Sequence, residues 1–238
     1  VTVLKRMRAL LEDADSEVTL SLTAGQLPEI RDALVDAVDR GVLVLLVVSD
    51  AAADLDADDP ALSGVANVVR TWREAMPTLL TVDSAAGVVA PPELLRRSTT
   101  DRQAIAFAQE QLAPVIVGSF LGNYWPAATE VLVADPAPLP AEYTDFRHTV
   151  LQATLRLRAG DPPRVTVAGR RTDDDEAVEL VGRVVETKQG MVEPTNNEFP
   201  VEHSLVVETE DGEVVVGGQG AFVEDVEADL VRIELDDE

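Results

Sequence analysis

The amino-acid sequence predicts an α/β domain, a mixed sheet with flanking helices, over residues 1–160 and a small all-β domain over 161–238. Three observations carry this reading. Near the N-terminus an alternating strand, an amphipathic helix and a continuous apolar strand follow one another, which is a βαβ unit. Pro162-Pro163 then interrupts the chain. Beyond that pair, apolar segments recur at strand length with a turn every ten residues or so, the pattern of a small sandwich or barrel.

Taken in order, residues 1–13 set Val3, Leu4, Met7, Leu10 and Leu11 at helical spacing and read as the tail of a longer helix or a dimer contact. In EVTLSLT (17–23), Val18, Leu20 and Leu22 alternate as in a strand. Residues 24–41 carry Leu27, Ile30, Leu34 and Val38 on one helical face, with Gly41 placed to stop the helix. VLVLLVV (42–48) is apolar throughout, as a strand covered on both faces must be. An acidic, alanine-rich loop spans 51–61, and short strands are expected at 65–70, 78–82, 87–90 and 104–108, the middle pair joined by a hairpin turn at Asp83-Ser84-Ala85-Ala86. Signals are mixed over 110–133. Residues 141–160 read as a helix closed by Gly160, with Tyr143, Phe146, Val150 and Ala153 on one face. Strands are then expected at 164–169, 177–187, 203–209, 213–217 and 229–235.

Composition narrows the setting. Forty-four acidic residues face 19 basic ones, a formal net charge of −25, and only Lys5 and Lys188 are lysines. A chain that is 46% hydrophobic is not disordered by this charge, so the carboxylates belong to a folded surface. Such a surface repels itself at low salt and is relieved at about 1 M, where the Debye length shrinks to about 3 Å. The reading is a protein of a high-salt cytoplasm, the alternative an acidic protein with a basic partner. Either surface neutralises phosphates poorly, so nucleic acid is not expected to bind this chain directly. There is no signal peptide pattern, and the longest apolar run is too short to span a bilayer, so a cytoplasmic protein without membrane contact is expected. The first residue is Val, which hints at a preceding domain.

No catalytic constellation is legible, and no enzyme, cofactor or metal site is expected. Cysteine is absent, and His148 and His203 are the only histidines. Neither lies by a G-x-S-x-G turn, and a zinc site of two or three imidazoles is nearly excluded. Two segments instead invite a ligand. In GGQGAFVEDVEAD (217–229) glycines permit close backbone approach, and Glu224 offers a carboxylate able to accept two hydroxyl hydrogen bonds, as vicinal sugar hydroxyls present them. A tight turn with an acidic rim is the plainer explanation. GSFLGNYW (118–125) gathers three aromatics beside Ser119 and Asn123 in a chain only 4% aromatic, which suits a sugar ring, with core packing at a domain junction the plainer explanation.

The pattern GG-x-GA-x-x-ED at 217–225, after a strand ending in E-T-E-D-G, resembles the C-terminal region of TrmB-type archaeal regulators, as does the order of a βαβ domain, SFLGNYWPAATEV and a small β-domain. The resemblance covers essentially the whole chain. It implies a phospholipase D-like sensor domain that binds a sugar, in a homodimer whose N-terminal winged-helix domain, absent here, contacts DNA. It places sugar contacts on Gly218, Gly220, the main chain of Phe222, and Glu224, with Ser119 as a further contact. His203 stands where the family has an asparagine, which puts that contact and the sugar preference in question. Phospholipase D activity needs H-x-K-x-x-x-x-D, and neither His148 nor His203 has lysine two residues on. Two other readings remain open: a dimerisation module with a lost pocket, and a residual phosphodiesterase.

Overall fold

The βαβ unit forms as its apolar pattern requires. In the computed structural model, which describes residues 2–51, 55–91, 104–109, 111–199 and 201–235, α1 (Val3–Glu12) precedes β1 (Glu17–Thr23), α2 (Leu27–Asp39) and β2 (Leu43–Ser49). β1 and β2 pair in parallel, Val18 opposite Val44. β3 (Val68–Thr71), β4 (Thr78–Val82), β5 (Ala86–Ala90), β6 (Ile105–Ala108) and β7 (Thr129–Val133) complete a mixed seven-stranded sheet in the order β6-β5-β4-β1-β2-β3-β7. β3 adds in parallel to β2, while β4 and β7 run antiparallel to β1 and β3. α3 (Ala113–Ser119), a π-helical turn at Phe120–Tyr124 and the short α4 (Trp125–Ala127) fill the stretch whose signals were mixed.

α1 and α2 pack on one face of the sheet. Met7, Leu10, Leu11, Ile30, Leu34, Val18, Leu20, Leu22 and Val44 belong to a single apolar cluster there. Each such side chain contributes about 1.5–3 kcal/mol of burial. The apolar stripe of α1, expected to belong to the tail of a longer helix or to a dimer contact, is therefore used inside its own unit: Met7, Leu10 and Leu11 are at most 6% exposed. β1 also departs from the half-buried alternation expected of it, since all seven of its residues are buried. Its position between β4 and β2 puts the polar side chains under cover, so they bond internally. The Thr19 and Thr81 hydroxyls pair, Ser21 Oγ donates to the Pro77 carbonyl, and Leu79 N–H donates to Ser21 Oγ.

The hairpin turn forms where expected, Ala85 N–H donating to the Val82 carbonyl, with Asp83 and Ser84 both at positive φ, 51° and 48°, as strand twist favours in a hairpin turn. Its carboxylate accepts from the amides of Asp15, Ser16 and Glu17 and from Ser16 Oγ. The turn thereby fastens the entry to β1.

The chain divides into Val1–Ala134 and Asp135–Glu238, not at residue 160. Sequence period could not show why. The start of the expected 141–160 helix is a strand, β8 (Ala141–Tyr143), and the helix that follows, α5 (Phe146–Ala159), packs on the barrel strands. Asp145 caps α5 by accepting from His148 N–H, and Gly160 closes it at φ 84°. β9 (Pro163–Arg171), β10 (Ala177–Lys188), β11 (Ser204–Thr209), β12 (Gly212–Gly217) and β13 (Val226–Leu235) follow. Consecutive strands β9 to β12 pair antiparallel, β13 returns to β9, and β12 meets β13 in parallel. The all-β expectation thus resolves into a closed five-stranded barrel carrying one helix. β13 shares its second edge: Val226 and Glu227 pair with β12, while Val231 to Ile233 pair with β8.

Candidate functional site

Barrel closure depends on the glycine-rich segment. The loop between β12 and β13 must carry the chain back so that the two strands run parallel, Val216 opposite Val226 and Gly217 opposite Glu227. Asp225 holds it at the base. Its N–H donates to the Val215 carbonyl at 2.8 Å, and its Oδ2 accepts from Val215 N–H at 2.8 Å. Thr172 grips the same point from the end of β9, its N–H donating to the Asp225 carbonyl and its Oγ1 to the Glu224 carbonyl at 2.5 Å. Between these anchors a turn closes through Ala221 N–H to Gly218 O, and Gly220 takes φ 82°, a conformation costly for any residue with a Cβ.

The glycines are there for space as well as conformation. A Cβ on Gly217 would lie 2.8 Å from the Glu224 carboxyl carbon, and one on Gly218 would lie 2.8 Å from Phe146 Cβ. Glu224 is thus folded back over the loop, and the start of α5 packs on Gly218. Strand pairing brings in His203. β11 and β12 run antiparallel with Leu205 opposite Val216, so the chain just before β11, which carries His203, approaches the chain just after β12. The His203 and Phe146 rings lie 6.0 Å apart, tilted by 39°, and His203 Nδ1 bonds the Val201 carbonyl at 2.8 Å.

The result is one cluster of five residues read from the sequence as ligand contacts: His203, Gly218, Gly220, Phe222 and Glu224. Among the described residues, the amides of Gly218, Gly220 and Phe222 donate no backbone hydrogen bond. The half-buried Glu224 carboxylate accepts none and makes no ion pair within the same set. Donors from the main chain therefore stand beside an acceptor from a side chain, with two rings alongside. The Phe222 side chain is 85% exposed, so it is the main chain of this residue that belongs to the cluster. Sequence reading overlooked Phe146, Thr172 and Asp225 as parts of the site. Asp225 directly follows Glu224 and was within sight; Thr172 had no local signal at all.

Ser119 lies in the other unit, exposed at the end of α3, where its carbonyl accepts from Asn123 Nδ2 at 3.3 Å. The aromatics beside it are packing groups. Phe120 and Trp125 are buried with ring centroids 5.6 Å apart. The fully buried Arg70 guanidinium sits 4.9 Å from the Trp125 ring, donates to the Trp125 carbonyl at 2.9 Å and approaches the Glu130 carboxylate at 3.7 Å. No sugar reaches those two ring faces in this arrangement.

His148 is likewise internal. Burial lowers its pKa to about 4, and the Tyr143 ring lies 4.7 Å from it. Gln152 Oε1 accepts from Ala137 N–H, so its Nε2 faces His148 Nε2, at 3.3 Å, as a donor. The imidazole is therefore the neutral tautomer with its proton on Nδ1.

Comparison with known proteins follows this division. Residues 1–132 match the family described as transcriptional regulator TrmB, EBD N-terminal subdomain, and residues 138–236 match TrmB/TrmBL1, EBD C-terminal subdomain. The interval between them contains the Ala134/Asp135 border. No curated protein sequence matches the chain. Among solved structures, TrmBL2, described as an archaeal chromatin protein with a novel mode of DNA binding, is 20% identical, with TM-score 0.42, over 55% of this chain and 52% of its own. The chain thus spans about half the length of that structure. Nuc, a phospholipase D family member from Salmonella typhimurium, is 16% identical with TM-score 0.41, over 55% of this chain and 90% of its own.

Proposed function

Because the chain belongs to the TrmB family of transcriptional regulators, whose effector-binding domain its two units span, we propose that its effector is a sugar held on the 217–225 loop. The observation that carries this is the pairing of main-chain amides at Gly218, Gly220 and Phe222 with the Glu224 carboxylate, none of which has a hydrogen-bond partner among the described residues. A polyol is a ligand whose hydroxyls donate to the carboxylate while their oxygens accept from the amides. His203 and Phe146 supply ring faces beside them. The Asp225 and Thr172 anchors hold the loop in shape before a ligand arrives, which lowers the ordering cost of binding.

The rest of the reading follows from charge and missing chemistry. With net charge −25 this region leaves DNA to a separate N-terminal domain, and it works as a homodimer in the cytoplasm of a salt-adapted archaeon. No helix among the described residues is long and apolar enough to cross a membrane. It is not an enzyme: His148 is buried and neutral, and His203 has no lysine two residues on to bind a phosphate.

Titration calorimetry of a panel of mono- and disaccharides in molar KCl tests the proposal. The expected result is saturable heat with at least one sugar. Glu224→Ala should weaken it by ten- to a hundredfold, since a hydrogen bond to a charged group contributes about 1.5–3 kcal/mol. The absence of heat with every sugar and sugar phosphate refutes it.

A further inference from the structure

We propose that β6 and the adjoining α3 form the contact surface for a second copy of this chain, joined strand to strand across a twofold axis. β6 is the terminal strand of the seven-stranded sheet: it pairs with β5 on one side and with no other strand among the described residues. It is also unusually apolar for an edge. Its sequence is IAFA, and Ile105 is 62% exposed. Phe107, two residues on and therefore on the same face of the strand, is 7% exposed, with its ring where a Cβ on Gly87 would sit. The strand is thus locked to β5 by Phe107, while Ile105 on the same face is left uncovered at the end of the strand. Edge strands exposed in this way are templates for pairing, and proteins that keep them unpaired usually place a charge there. None is present.

Charge singles out the occupant. From Ala104 to Thr129 the only charged residue is Glu110, in a chain that is 26% charged. The surface residues of this stretch include Leu112, 37% exposed, and Val115, 65% exposed. Two copies that each carry −25 meet least repulsion where both are neutral, whereas a basic partner is drawn to the carboxylates elsewhere. Two other strongly exposed apolar pairs lack this neutrality: Phe222 and Val223 directly precede Glu224 and Asp225, and Phe199 and Val201 lie between Glu198 and Glu202. An edge strand meeting its own copy about a twofold axis runs antiparallel to it, so one short sequence supplies both halves of the ladder. The apolar face of α1, the other surface with a claim to self-association, is buried in its own core.

The test uses the full chain in molar KCl, with mass measured by analytical ultracentrifugation. A mass of twice 25.5 kDa is expected for the unaltered chain, and Ile105→Asp should reduce it to the monomer with unchanged circular dichroism. Since the chain contains no cysteine, Ile105→Cys provides an independent reading. Mild oxidation should convert it to a disulfide-linked dimer, while Ser63→Cys, in the exposed loop before β3, stays monomeric on denaturing gels. A monomeric mass for the unaltered chain overturns the proposal, as does a dimer in which Ile105→Cys links no faster than Ser63→Cys.

Discussion

Residues 118–125 and 217–225 look alike as sequence: each is short, glycine-containing and marked by residues this chain uses sparingly. They have opposite fates. Phe120 and Trp125 are buried against each other, with the Arg70 guanidinium over the Trp125 ring, whereas the 217–225 loop, clamped at its base, folds the Glu224 carboxylate back beside main-chain amides that have no partner among the described residues. The difference lies in where their polar groups are satisfied. In the first segment Trp125 gives its carbonyl to Arg70 and its ring to the same cation. In the second, the anchors belong to Asp225 and Thr172, and the residues between them are left with open groups. Unusual composition marks both scaffolding and sites; only the hydrogen-bond partners separate them.

The contrast can be broken by substitution, and the largest effect is expected at the scaffold. Arg70→Met leaves the Trp125 carbonyl and the Glu130 carboxylate without their cation and should cost about 3–5 kcal/mol, as breaking a buried pair does. Chemical denaturation measures it; a loss below about 1 kcal/mol would mean the segment is not scaffolding.

His148 extends the comparison to the helix beneath the loop. Its folded-state pKa of about 4 lies below the ordinary 6.5. Between those values the unfolded chain binds a proton that the folded chain refuses. Its contribution is therefore fully present above pH 6.5 and is lost as pH falls toward 4, by about 3 kcal/mol in total. Denaturation midpoints of the unaltered chain and His148→Leu should diverge over that window in this sense. Parallel pH profiles would show that His148 is not held neutral by burial.

Gly218→Ala sharpens the comparison at the loop, because the new methyl meets Phe146 Cβ at 2.8 Å. A stability cost of about 1–3 kcal/mol is expected from overpacking, together with at least a tenfold loss of sugar affinity by calorimetry. An affinity unchanged by that shift would remove the loop from the binding surface. The smallest stability effect belongs to Glu224→Ala: within about 0.5 kcal/mol, although it should weaken binding most directly. If its stability falls further, the carboxylate is a structural group and the two segments are alike after all.

Much of this was legible in the residues. The seven apolar residues of 42–48 could only be a strand covered on both faces, and β2 occupies 43–49, wholly buried. Gly160 was positioned to end α5 and does so at positive φ. Gly217 stands where a Cβ would meet the Ala221 and Glu224 side chains, and Gly220 takes positive φ. In each case a short-range rule applied, of period, capping or steric room, and its evidence lay within a few neighbouring residues.

Other features were settled only when distant segments met. The border at Ala134/Asp135 depends on β8 pairing with β13, nearly ninety residues on, and no local pattern announces such a partner. The periodicity of α1 fits the tail of a longer helix or a dimer contact, and only the tertiary structure shows its stripe packed in the core of its own unit. Thr172 became part of the site because β9 ends beside the base of a loop about fifty residues later. Element type follows from periodicity and local sterics, which the chain carries in every short window. Which polar group is satisfied, and which is left open for a ligand, is a long-range property decided by strand pairing and packing.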